Sequence, residues 1–111
     1  MECPSGRSGI IERVIEALGG ELPATALYGI LRLRSEVFVV EQACVYLDPD
    51  GRDLEPATRH LWIEDGGSVV AAARVLQGSD SGTSIGRVVT APSHRSRGLA
   101  ASLVRTALED A

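Results

Sequence analysis

The chain has 111 residues, 44% of them hydrophobic, and a formal net charge of -4. That suffices for one small domain with a core of its own, and the acidic balance excludes a general nucleic-acid binder, which needs surplus positive charge to displace counterions. All eleven basic residues are arginine, so no lysine is available as a Schiff base or nucleophile.

Residues 1–20 form an atypical leading segment. Ile10, Ile11, Val14, Ile15 and Leu18 fall at helical spacing before Gly19 and Gly20, which predicts a short amphipathic helix. The segment lacks the basic start and unbroken apolar stretch of a secretory signal, and no run in the chain is long enough to span a bilayer. Cys3 and Cys44 are too few for a disulfide framework. A reduced, cytoplasmic protein without membrane or nucleic-acid partners is expected.

Pro23 suits a first helical turn, and Leu27, Ile30, Leu31, Val37 and Phe38 continue one face of a helix to about Val40, with Arg32, Ser35 and Glu36 opposite. From Cys44 to Thr58, Pro49, Gly51, Pro56 and three aspartates break every period, so this stretch is a loop. Residues 60–64 and 68–76 read as antiparallel strands about the turn "DGG", and 85–90 as a third strand after an exposed connection at 77–84. Pro92 closes that strand. From Leu99 onward, Ala100, Leu103, Val104, Ala107 and Leu108 form a helical stripe.

The stretch "HRSRGLAASL", residues 94–103, stands between the last strand and this helix. A helix start exposes unpaired N–H groups and the positive end of its dipole, which suits a phosphate. Gly98 lets the backbone approach an anion, Ala100, Ala101 and Ser102 keep the first turn slim, and Arg95 and Arg97 add positive charge. The segment lacks the second glycine and the lysine of a Walker A loop, and it is not G-x-G-x-x-G.

In this order, "VVTAPSHRSRGLAASLV" resembles the acyl-CoA-binding signature Q/R-x-x-G-x-G/A of the GNAT N-acetyltransferase superfamily, met by Arg95, Gly98 and Ala100. Upstream, "RSEVFVVEQ", "DGRD" and "RHL" resemble the ElaA-type branch, and the likeness covers about residues 21–110. It implies an α/β acyl-CoA N-acyltransferase fold, a mostly antiparallel sheet flanked by helices, over residues 21–111. It also implies acetyl-CoA as donor, with its pyrophosphate at Arg95, Ser96, Arg97, Gly98, Leu99 and Ala100 and its pantetheine arm along Val88, Val89 and Thr90. The acceptor would be an amine, attacking directly within a ternary complex.

Such proteins begin with a strand where this chain has "GIIERVIEALGG", and a helix there leaves one sheet edge uncovered. They also continue past this helix with a strand, a helix bearing a thiolate-protonating tyrosine and a strand pair, so the domain reads as incomplete at its C-terminus. Tyr28 and Tyr46 do not match that tyrosine. The alternative is a non-catalytic or truncated module that binds CoA or a protein partner; a homodimer is a further option.

The remaining candidates are weaker. Gly51 at position six of a calcium loop puts Tyr46 at one and Ala57 at twelve, so "DPDGRD" is a turn, and by resemblance one wall of the acceptor pocket. Arg74 and Arg87 lie in apolar strands and need partners, either Asp50, Asp53 or Glu41, or an anionic group of the acceptor. His60, Glu36 and Glu41 are candidate bases, while His60 also fits a strand cap and His94 a solvated loop. No zinc spacing and no Ser-His-Asp or Cys-His set is legible.

Overall fold

The computed structural model describes residues 13–43, 48–78 and 82–109. Four strands form one antiparallel meander in the order β1 (Ile15–Leu18), β2 (Arg59–Asp65), β3 (Ser68–Gln77) and β4 (Thr83–Thr90). Two helices complete it, α1 (Ala24–Arg34) between β1 and β2, and α2 (Leu99–Glu109) after β4.

The sheet is buried on both faces. Leu61, Ile63, Ala71, Ala73 and Val75 meet Leu99, Leu103 and Ala107 of α2, which recur every fourth residue along one helical stripe. On the other face Trp62, Ala72 and Val89 meet Ala26, Ile30, Leu33 and Val37. The three consecutive alanines of β3 let helices approach closely from both sides. Leu108, expected on the stripe of α2, is instead 61% exposed.

The helix expected over residues 10–18 is corrected from Val14 onward, while residues 10–12, like Cys3, Cys44 and Tyr46, lie outside the described residues. Ile15–Leu18 is a strand whose partners run from Ile15↔Trp62 to Leu18↔Arg59. Val14 packs against the α2-side core, while Ile15 and Ala17 pack against the α1 side. Alternation over a two-sided core decided the matter, and the sheet edge expected to be bare is covered. Gly19 follows because the chain at 53–55 crosses it: an added Cβ would stand 2.3 Å from the Glu55 carbonyl oxygen.

After Arg34 the helix widens into a π-helical segment, Ser35–Glu41, where the Gln42 N–H reaches back five residues to the Val37 carbonyl at 3.1 Å. The run "EVFVVE" is rich in β-branched residues that crowd a regular α turn. In β4, pairing jumps from Arg74↔Gly86 to Ala72↔Val89, so two residues oppose Ala73, and Arg87 takes up the excess at φ +50°.

Candidate functional site

Beyond the apolar contacts of α1, three arginines and three aspartates occupy the end of the sheet. Arg34, 1% exposed, donates from Nε to Asp48 Oδ2 at 2.7 Å and from Nη1 to Asp53 Oδ1 at 2.8 Å. Arg74 donates to Asp50 Oδ2 at 2.6 Å and to Asp53 Oδ1 at 2.9 Å. Arg87, turned by its bulge, reaches Asp48 Oδ1 at 2.9 Å. The aspartates of "DPDGRD" therefore hold arginines and lock the loop onto the sheet.

Hydrogen bonding by Arg74 holds the Asp50 carboxyl well below the usual carboxylate range. Burial pushes the Asp53 carboxyl up, but Arg34 and Arg74 together outweigh it and the net shift is downward. The same pairing, first with Asp50, raises Arg74. His60, fully buried, donates from Nε2 to the Asp53 carbonyl at 2.8 Å, and burial lowers its pKa. It fastens the loop, and its burial removes it as a base for a substrate.

The signature loop is built differently. After a short turn at Pro92–His94, Ser96 at φ +69° and Gly98 at φ +73° adopt left-handed conformations. The first helical bond runs from the Ser102 N–H to the Gly98 carbonyl, so the amides of Leu99, Ala100 and Ala101 precede the bonded part of α2. A Cβ added at Gly98 would meet nothing within 4 Å, which leaves the space before the helix open to a bulky anion.

The expected site residues divide by burial. Arg95, Ser96, Arg97 and Gly98 are exposed, while Val88, Thr90 and Ala100 are half-buried. Val89 and Leu99 are buried in opposite cores, so what either offers a ligand is its backbone. The Arg95 side chain is engaged: Nη1 and Nη2 each donate to Glu41 at 2.8 Å, and Nε donates to the Thr90 carbonyl at 3.1 Å. The hydrogen bond from Arg95 lowers Glu41, so Glu41 acts as an arginine clamp. Among the described residues β4 is the sheet edge on this side.

A cleft of about 960 Å³ opens beside this loop. Tyr28, Arg32 and Glu36 of α1, Glu64 and Asp65 of β2, Val69 of β3 and Ala91, Ser93 and His94 after β4 contribute to its lining. Gly29 allows α1 to pass close to β3, since a Cβ there would lie 2.7 Å from Val69 Cγ2. The loop at 48–53 is not among the residues that line this cleft. Of the candidate bases, Glu36 lies in the cleft and His60 does not.

A Ser-His-Asp chain, not legible in the sequence, is also present. His94 connects Ser93 on one ring nitrogen to Asp65 on the other. Asp65 lies 29 residues before His94, and only the β2–β3 turn brings them together. The histidine expected to be solvated has 15% of its side chain exposed.

Residues 24–111 match the model of the acetyltransferase (GNAT) family. The UPF0039 protein Rv2851c of Mycobacterium tuberculosis is 44% identical over 94 residues, 81% of this chain and 60% of that protein. Protein ElaA of Escherichia coli is 41% identical over 93 residues, again 60% of its length. The chain thus spans about 60% of the length of the curated relatives it matches. Among solved structures, an acyl-CoA N-acyltransferase from Pseudomonas aeruginosa superposes with a TM-score of 0.82 at 37% identity, covering 87% of this chain and 68% of that one. The crystal structure of Escherichia coli ElaA gives 0.82 at 36% identity, covering 88% and 68%.

Proposed function

The chain belongs to the GNAT acetyltransferase family, and from that premise we propose that it carries an acetyl group from acetyl-CoA to an amine by direct attack in a ternary complex. The observation that carries this reading is the pair of left-handed residues, Ser96 and Gly98, opening onto the first-turn amides of an 11-residue helix. Backbone N–H groups at such a mouth favour a pyrophosphate without any lysine. Arg95, fixed by Glu41, orders the loop, and Arg97 adds charge at its rim.

The edge of β4 then serves the pantetheine arm, whose amides pair with Val88, Val89 and Thr90 as an added strand would. The thioester comes to lie near the bulge, where backbone N–H groups are suited to the carbonyl oxygen as charge builds on it. The amine must lose a proton, attack the carbonyl carbon and expel the thiolate, which takes up a proton. The cleft between α1 and the β2–β3 turn meets the other end of this strand, at Ala91.

Calorimetric titration with acetyl-CoA tests the donor site. Wild type should bind, and Gly98→Glu should lose at least about 100-fold in affinity, because a carboxylate in the mouth repels the pyrophosphate. Equal affinity of the two proteins would remove the site. Binding of acetyl-CoA without release of its thiol to any amine acceptor would favour the alternative, a CoA-binding module without turnover.

A further inference from the structure

One peptide group fixes the direction of the β4 edge at its signature end. The N–H of that group, belonging to Ala91, donates inward to the Val70 carbonyl of β3 at 2.8 Å. No described peptide bond is cis, and a trans peptide points its carbonyl opposite to its N–H. The Thr90 carbonyl therefore faces outward, away from β3. An added strand would donate to it with a nitrogen about 2.9 Å away. Arg95 Nε already stands there, at 3.1 Å.

Arg95 is held in that position from its other end. Nη1 and Nη2 each donate to Glu41 at 2.8 Å, and Glu41 is the last residue of the π-helical segment. The side chain thus runs from the signature loop past the outward carbonyl of Thr90 to the end of that segment. It caps an acceptor that the proposed pantetheine arm needs. Both members of the ion pair are 42% exposed, so the anchor can exchange for a stronger anion. A pyrophosphate offers the same guanidinium fork two adjacent charges.

We propose that Arg95 is a specificity residue for the donor: clamped by Glu41 it caps the β4 edge, and the donor's pyrophosphate draws it off, so that the arm enters only with its phosphates. This rests on the acetyl-CoA reading above. A CoA thioester then binds through two linked exchanges, its phosphates taking the guanidinium and a pantetheine N–H taking the Thr90 carbonyl thereby uncovered. A thioester without phosphates has to displace Arg95 and offers it nothing in return. Discrimination against such a donor therefore exceeds the loss of the phosphate contacts alone.

The test titrates acetyl-CoA and S-acetylpantetheine into wild type, Arg95→Ala and Glu41→Gln, with affinities read from amide NMR shifts. S-acetylpantetheine carries no charge, so a change in its affinity reports the cap and not the surrounding field. Arg95→Ala should bind S-acetylpantetheine about fivefold more tightly than wild type, because no side chain has to leave Thr90. The same variant should bind acetyl-CoA about tenfold more weakly, because a cation is lost from the phosphates. One substitution thus moves the two ligands in opposite directions. Glu41→Gln, which loosens the arginine without removing it, should tighten both, and it carries the S-acetylpantetheine comparison if Arg95→Ala does not fold.

An S-acetylpantetheine affinity that is unchanged or lower in Arg95→Ala, or undetectable in all three proteins while acetyl-CoA binds wild type, would overturn the cap and leave the donor site standing. Tighter binding of both ligands by Arg95→Ala would show that the guanidinium does not reach the phosphates, which overturns the exchange. A wild type that binds no acetyl-CoA would instead overturn the acetyl-CoA reading, and the cap with it.

Discussion

Arginine meets carboxylate in two regions of this molecule, and the settings give the pairs different work. Around Arg34, 1% exposed, Asp48, Asp53 and Arg74 are enclosed as well, each charge is answered by another, and the network fixes a loop to the sheet. Arg95 and Glu41 are equally close at 2.8 Å, yet both side chains are 42% exposed. Water screens the second pair and competes with it. In the first pair, taking away one member leaves the other as a buried charge. The buried set therefore belongs to the architecture, and the exposed pair belongs to a loop that can adjust when an anion arrives.

The sharpest break in that comparison is Asp53→Ala, which strips Arg34 and Arg74 of a shared acceptor. It should cost about 3–5 kcal/mol in urea denaturation, a large share of the stability of a small domain. A loss comparable to that of an exposed pair would show that the network is not holding the fold.

Acidification weakens the same region without mutation. His60, Asp50 and Asp53 all have lowered pKa values in the fold, so the unfolded chain binds more protons and stability falls as pH falls. The His60 part is complete above its unfolded value of about 6.5 and is lost below it, and the aspartate part goes below about pH 3.9. Thermal melts across this range should therefore show two declines, and His60→Gln should remove the upper one. A melting temperature that rose on acidification through the upper range would contradict the sign.

The smallest effect belongs to the exposed pair. Glu41→Gln should leave the melting temperature nearly unchanged and tighten acetyl-CoA binding severalfold, since a negative charge is removed beside the phosphate site. A marked fall in stability would mean that the clamp is architectural after all.

Much of this was legible in the sequence. The hairpin about "DGG", the stripe through Leu103 and Ala107 and the glycine-arginine signature are local patterns, and local patterns survive folding. Arg74 found its partners among those named for it, Asp50 and Asp53. The strand at Ile15–Leu18 escaped because its apolar residues satisfy a helical spacing as well, and only pairing with β2 decides between the two. Arg34 lies one helical turn after Ile30, on the buried face, but its charge argued for solvent until the three aspartates downstream folded back over it. The contact between His94 and Asp65 spans 29 residues, which no local pattern encodes.

The central claim is that the amides at the mouth of α2 hold the donor's pyrophosphate, and amide NMR spectra recorded during titration reach it most directly. Acetyl-CoA should move the Gly98, Leu99, Ala100 and Ala101 signals downfield more than any others, and S-acetylpantetheine, which has the thioester but no phosphate, should leave them in place. Saturating acetyl-CoA that shifted other residues and left these four unmoved would contradict it.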